Sequence, residues 1–232
     1  MENKELLKTL IRIAEALERI SPPRPEQINI ELGDAFIWHG KTELLELVTN
    51  INVIDFDLLK GIEYQQKILL ENTKRFALGF PANNVLLWGA RGTGKSSLIK
   101  STHSKVNNLI KTRLGLIEIH REDLHTLPRL LKSIGNSTRR ILIFCDDLSF
   151  DNQDTSYKSL KTILEGGIEG KPKNVIFYAT SNRRHLIARE MIENEQSSSI
   201  HPNEAIEEKI SLSDRFGLWL GFHNIDQNTY LE

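Results

Sequence analysis

Asn84-Val85-Leu86-Leu87-Trp88-Gly89-Ala90-Arg91-Gly92-Thr93-Gly94-Lys95-Ser96-Ser97 decides the fold. It opens on an apolar run that reads as a buried strand. The residues from Gly89 to Ser96 then match G-x-x-x-x-G-K-[ST], a phosphate loop between strand and helix. Glycines there let backbone N–H groups curl around phosphate oxygens with no Cβ in the way, and the following helix turns its positive end toward the anion. Lys95 is placed to reach the β and γ phosphates and Ser96 to ligate Mg2+. The pattern therefore implies a nucleoside triphosphate with Mg2+, held by Gly89, Ala90, Arg91, Gly92, Thr93, Gly94, Lys95, Ser96 and Ser97. A Lys-Ser pair after the last glycine adds nothing to a plain turn, which sets the motif apart from an ordinary glycine-rich connection.

Downstream, strand and helix patterns alternate: helix to about residue 110, strand 116–119, helix 124–134, strand 141–145, helix 157–166, strand 175–180 and strand 218–222. Strands separated by helices imply a parallel sheet covered on both faces, an α/β fold. Upstream, residues 57–78 carry a second helical pattern that leads into the phosphate-loop strand, and residues 28–50 are ambiguous. Leu6, Leu7, Leu10, Ile13, Ala14 and Leu17 recur at helical spacing over residues 3–20, before Ser21-Pro22-Pro23-Arg24-Pro25 ends the helix. That stripe is expected to pack on its own domain, with a partner-binding face as the alternative. The organisation expected is a helical extension over residues 1–50 and a nucleotide-binding domain over 51–232.

The apolar strand Ile141-Leu142-Ile143-Phe144-Cys145 ends in Asp146-Asp147. In a parallel sheet ligands bind at that end. Asp146 is assigned to the Mg2+ shell, as a Walker-B aspartate, and Asp147 to the attacking water. Asn182, at the tip of the strand ending Thr180-Ser181, could hydrogen-bond the γ-phosphate or that water; its bland reading is a helix cap. Arg215, in Leu212-Ser213-Asp214-Arg215-Phe216-Gly217, is either a surface ion-pair partner or an arginine finger acting on the transferred phosphoryl group. Phe80 and Trp88 read as core residues or neighbours of an adenine pocket.

Composition narrows the rest. The 232 residues are 39% hydrophobic and 26% charged with formal net charge -1, so no global basic field announces nucleic acid. Lys158, Lys161, Lys171, Lys173, Arg183, Arg184, Arg139 and Arg140 could supply local phosphate contacts, although scattered cations are ordinarily solvated surface. A single cysteine, Cys145, excludes an internal disulfide and reads as a small buried hydrophobe. The histidines lack zinc-ligand spacing. No apolar run approaches the roughly 20 residues of a membrane span, and the charged first residues lack a signal-peptide core, so a cytoplasmic protein is expected. An Asn-Lys-x-Asp segment for reading guanine is absent, which disfavours a GTPase, and nothing supplies the acceptor pocket of a small-molecule kinase.

Together, Asn72-Thr73-Lys74-Arg75-Phe76, the stretch from Pro81 through Leu98, Phe144-Cys145-Asp146-Asp147-Leu148-Ser149-Phe150, Tyr178-Ala179-Thr180-Ser181-Asn182-Arg183-Arg184-His185-Leu186 and the Arg215 segment resemble the AAA+ ATPase module. Their wording is similar to an uncharacterised bacterial AAA+ ATP-binding family, a domain of unknown function, and the Arg215 motif is similar to that of replication initiators. The resemblance covers about residues 50–232. It implies a five-stranded parallel sheet in the order 5-1-4-3-2, with Asn182 as first sensor and Arg215 as a finger acting on ATP of a neighbouring subunit. Gly61-Ile62-Glu63-Tyr64 looks like the segment that flanks adenine, Ile62 foremost. Position 147 is Asp where many such proteins have Glu, which implies slower turnover, and a helical lid with its second-sensor arginine is not expected before Glu232. The implied activity is that of an ATPase, assembled as a homo-oligomer, that works on a protein or nucleic-acid partner. The alternative is a slowly hydrolysing ATP-dependent switch or loader.

Overall fold

The computed structural model describes residues 2–20, 29–111, 113–150, 156–165, 172–182, 186, 212 and 215–223. In chain order the elements are α1 (Glu2–Ile20), β1 (Ala35–His39), β2 (Leu44–Leu47), α2 (Glu63–Ala77), β3 (Val85–Gly89), α3 (Lys95–Leu109), β4 (Gly115–Ile119), α4 (Leu127–Ile134), β5 (Ile141–Cys145), α5 (Ser156–Glu165), β6 (Val175–Ser181) and β7 (Leu218–Phe222).

One sheet contains every described strand, in the order β2-β1-β4-β5-β6-β3-β7. The last five positions, read from β7 back to β4, are the expected 5-1-4-3-2 arrangement, all parallel. Two further strands correct the expected five. β1 adds in parallel beside β4 and β2 closes the edge as an antiparallel hairpin partner of β1. Both come from residues expected to be part of a helical extension. Ala-Phe-Ile-Trp-His favours a strand because its aromatic and β-branched side chains pack on a pleated surface, and Ala35, Phe36 and Trp38 are buried.

The β1 attachment rests on an ion pair rather than on apolar contact alone. Arg139, expected among the surface cations, is buried and donates to Asp34 Oδ1 at 2.7 Å, to Gly33 O at 2.7 Å and to the Ile30 carbonyl. It is a clamp on the segment that leads into β1, and its donors are not available to a phosphate backbone.

Near-continuous apolar runs in β3 to β6 follow from burial on both faces. Alternate residues feed two layers. Ile117, Ile143 and Phe177 pack with Leu130, Ile134 and Leu160 of α4 and α5. Leu87, Leu116, Leu142 and Tyr178 pack with Leu69, Phe76, Leu98 and Val106 of α2 and α3. Tyr178 brings a hydroxyl into that second layer. Asn72 Nδ2 donates to it at 2.9 Å and Thr73 Oγ1 lies at 2.9 Å, so α2 is fixed to the central sheet by hydrogen bonds. Cys145 is fully buried, and burial pushes its thiol well above the ordinary range, as fits a core residue rather than a nucleophile.

The helix expected over 57–78 is split. Asp55 accepts from the Asp57 N–H and starts a short 3-10 turn, Phe56–Leu58, while Gly61 sits at φ +76° and Glu63 accepts the Gly61 N–H, starting α2 afresh. The α1 stripe does not pack on its own domain as expected. Leu6, Leu7, Leu10, Ile13 and Leu17 are exposed, and α1 makes no extended contact with another described element. Among the described residues, no helix is long and apolar enough to cross a membrane.

Gly89 ends β3 at φ +141°, and a Cβ there would lie 1.9 Å from the Phe222 carbonyl oxygen of β7. Gly89→Ala is therefore expected to destabilise the fold by about 3 kcal/mol or more, read as a lower urea midpoint at unchanged slope.

Candidate functional site

Three walls meet at the carboxyl ends of β3, β5 and β6 around a cavity of about 520 Å³. The first wall is the loop after β3. Gly92 at φ +75° and Gly94 at φ +83° adopt the left-handed conformation that side chains resist, and nothing fills the space where a Gly92 Cβ would stand. Gly94 caps α3, so the first N–H groups of that helix face the cavity. Lys95 is buried, and Nζ donates to Gly89 O at 2.9 Å and Ala90 O at 2.5 Å. Desolvation lowers its pKa, with Asp146 and Asp147 opposing the shift. Thr93 Oγ1 donates to Ala90 O at 2.8 Å and completes the loop's internal bonding. Arg91, Gly92, Thr93, Gly94, Lys95, Ser96 and Ser97 line the cavity; Gly89 and Ala90 serve through their carbonyls.

The second wall is acidic. Ser96 Oγ donates to Asp146 Oδ1 at 2.6 Å, which joins the phosphate loop to the end of β5. Asp147 sits at φ +50°, a conformation uncommon outside glycine but tolerated by Asp. Its N–H donates to Thr180 Oγ1 at 2.9 Å, and Asn182 Nδ2 donates to its Oδ1 at 2.5 Å. Arg91 Nη2 lies 3.8 Å from Asp147 Oδ2, with both side chains mostly exposed, so that pair is screened and weak. Ser96 Oγ and Asp146 Oδ1 are hard oxygen donors at contact distance, a set that suits Mg2+ completed by water and phosphate. Among the described residues no group of three His, Cys, Asp or Glu forms a metal cage.

Ile54, Leu58, Leu59, Lys60 and Ile62 form the third wall. Gln66 Nε2 bonds the carbonyls of Phe56 and Leu59, each at 2.8 Å, and Ser101 Oγ bonds that of Ile54 at 2.5 Å, which anchors this wall to α2 and α3. Of the segment expected beside adenine, Ile62 lines the cavity while Tyr64 is exposed outside it; Gly61 and Glu63 are spent on capping α2. Phe80 is exposed, and Trp88 packs edge-on to His223 with ring centroids 6.0 Å apart; neither lines the cavity.

Asp146, Asp147 and Asn182 thus converge on the phosphate loop, but Arg215 does not. β7 runs parallel to β3 with Leu218 opposite Val85, so Arg215 lies where β3 begins, whereas the loop starts at Gly89 where β3 ends. A strand length, about 13 Å, separates the two ends. Arg215 Nη2 pairs with Glu165 Oε1 at 2.9 Å. Of the remaining surface cations, Lys161, Lys173 and Arg140 belong to the described set, and Arg140 is turned to the Lys173 and Gly79 carbonyls. Lys171, Arg183, Arg184 and the Lys158 side chain lie outside the described residues, as do Ser213, Asp214 and 196–199.

Sequence reasoning missed Thr180 and the wall residues Ile54, Leu58, Leu59 and Lys60. A hydroxyl two positions before Asn182 was the available signal for the first. For the others, the only signal was a short apolar segment ahead of the phosphate loop.

Residues 31–232 match the family described as "Protein of unknown function (DUF815)". The chain belongs to this family. No curated protein matches it. Among solved structures, the DUF815 chain is similar to the Aeropyrum pernix Orc1 protein in complex with DNA, at 15% identity and TM-score 0.54, over 75% of this chain and 48% of that one. It is also similar to the E. coli MS115-1 HORMA:CdnC:Trip13 complex, at 13% identity and TM-score 0.52, over 78% of this chain and 72% of that one. This DUF815 member therefore has the AAA+ P-loop fold, and it spans about half the length of the Orc1 chain.

Proposed function

We propose that the protein is an AAA+ ATPase that hydrolyses ATP to ADP and phosphate to drive or regulate a macromolecular partner, protein or nucleic acid. The observation that supports this reading is the convergence of Ser96, Asp146, Asp147 and Asn182 on one cavity with the phosphate loop. The loop N–H groups and Lys95 would cradle the β and γ phosphates, with Nζ exchanging loop carbonyls for anionic oxygens. Ile62 and its neighbours Ile54, Leu58 and Leu59 offer an apolar wall to the base. Mg2+, held through Ser96 and Asp146, would neutralise charge on the phosphates. Asp147 takes a proton from water as the water oxygen attacks the γ phosphorus and the bond to the β–γ bridging oxygen breaks, releasing ADP. Asn182 orients that carboxylate and the water. The site is cytoplasmic in this reading and needs no membrane.

Arg215 is proposed as a finger for a neighbouring subunit in a homo-oligomer, since it lies at the opposite end of the sheet from its own loop. Arg215→Ala is expected to lower turnover in the assembled form by about 10³-fold. Mixing it with Asp147→Asn should restore part of the activity, since each subunit supplies what the other lacks. No recovery in any mixture would count against a shared site.

A slowly hydrolysing switch is the second reading, favoured by Asp147 being the shorter carboxylate and already engaged by Asn182 and Arg91. Steady-state ATPase activity against protein concentration separates the two. Specific activity that rises with concentration and vanishes in Asp147→Asn supports the ATPase; tight ATP binding with no turnover at any concentration supports the switch.

A further inference from the structure

Thr180 is 2% exposed, and a hydroxyl at that depth must find partners. Its Oγ1 donates to Asp146 Oδ1 at 2.5 Å and accepts the Asp147 N–H at 2.9 Å, while its carbonyl accepts the Leu148 N–H at 2.7 Å. One residue at the tip of β6 thus holds the whole turn 146–148 and both acidic residues in it. The bond to Asp147 also secures a backbone in the left-handed region, where an unsupported residue relaxes readily to the common conformations. Ser96 donates to the same oxygen of Asp146. When Ser96 turns to a cation, the Thr180 bond is the one that continues to fix the carboxylate.

From this geometry we infer that Thr180 is the positioning residue of the acidic wall, setting Asp146 toward the divalent cation and Asp147 toward the attacking water through a single hydroxyl. The inference rests on the ATPase reading and adds to it a cavity-lining residue whose hydroxyl is taken up by the two acidic residues. Of the two carboxylates, Asn182 bonds Asp147 and Ser96 bonds Asp146. Only Thr180, among the described residues, bonds both.

Thr180→Val keeps the branched shape and removes the hydroxyl; Thr180→Ser keeps the hydroxyl. Binding of a fluorescent methylanthraniloyl ATP to the full chain is titrated in EDTA and again across a Mg2+ series, alongside steady-state hydrolysis and a thermal melt. In Thr180→Val, affinity in EDTA is expected to match wild type. The Mg2+ concentration for half-maximal tightening should rise about tenfold, and kcat should fall about tenfold or more with KM nearly unchanged. Thr180→Ser should recover most of both. A folded Thr180→Val with wild-type Mg2+ dependence and kcat overturns the inference while leaving the ATPase reading intact. Equal impairment in Thr180→Ser overturns it too, because packing rather than the hydroxyl would then be responsible. Wild-type protein that binds the probe in neither buffer overturns the ATPase reading and this inference with it.

Discussion

Lys95→Ala is expected to weaken ATP binding by about 100-fold or more, measured by titration of a fluorescent ATP analogue, and to remove hydrolysis with it. The lysine is buried at the base of the loop with its ammonium held by the Gly89 and Ala90 carbonyls. Arg91 and Lys60 also line the cavity, but both are exposed and Arg91 lies toward Asp147, so neither stands in for the buried ammonium. A phosphate entering the loop of the variant would meet N–H dipoles but no buried ammonium beneath them, and the two carbonyls would lose their donor. Unchanged affinity would remove the basis for the phosphate-loop assignment. A thermal melt separates lost binding from lost folding, because Ala tolerates the helical backbone at the start of α3.

Asp147→Asn is expected to lower kcat by about 10³-fold with ATP affinity changed by less than about threefold. Asn keeps the side-chain shape and tolerates φ near +50°, so the turn should survive. What disappears is the basic oxygen that accepts the proton of the attacking water. Single-turnover hydrolysis with prebound ATP reads this step directly. If binding collapses instead, Asp147 belongs to the metal shell, and the roles given to Asp146 and Asp147 must be exchanged.

The five strands β3 to β7 were legible because each is a short apolar run bounded by helical pattern, and their order follows from the resemblance those runs carry. β1 and β2 were not. They form a hairpin with no helical pattern between them, so the strand–helix alternation that marks the others is missing there, and β2 is largely exposed and lacks a buried apolar run. Arg139 shows the same limit for charge: sequence marks it as one surface cation among several, yet burial beside Asp34 makes it structural. In the site, residue types with chemistry of their own were found first. Thr180 was passed over because its part is visible only once β5 and β6 lie side by side, with Ile143 opposite Phe177 and Cys145 opposite Ala179. Tyr64 differs in the opposite sense: it stands in the first turn of α2, exposed and outside the cavity that its neighbour Ile62 lines, a distinction that adjacency in sequence does not carry.

The distance of Arg215 from its own phosphate loop sets a counting rule for any assembly built on the proposed contact. An interface that joins one end of the sheet to the opposite end of the next copy is heterologous, so it has a direction and no internal two-fold. In a linear stack the copy at one end always keeps an unfinished site and the copy at the other end an idle arginine. Only closure into a ring removes both. Turnover per subunit would then climb with stack length and level off at ring closure, so activity itself would report whether the ends have met.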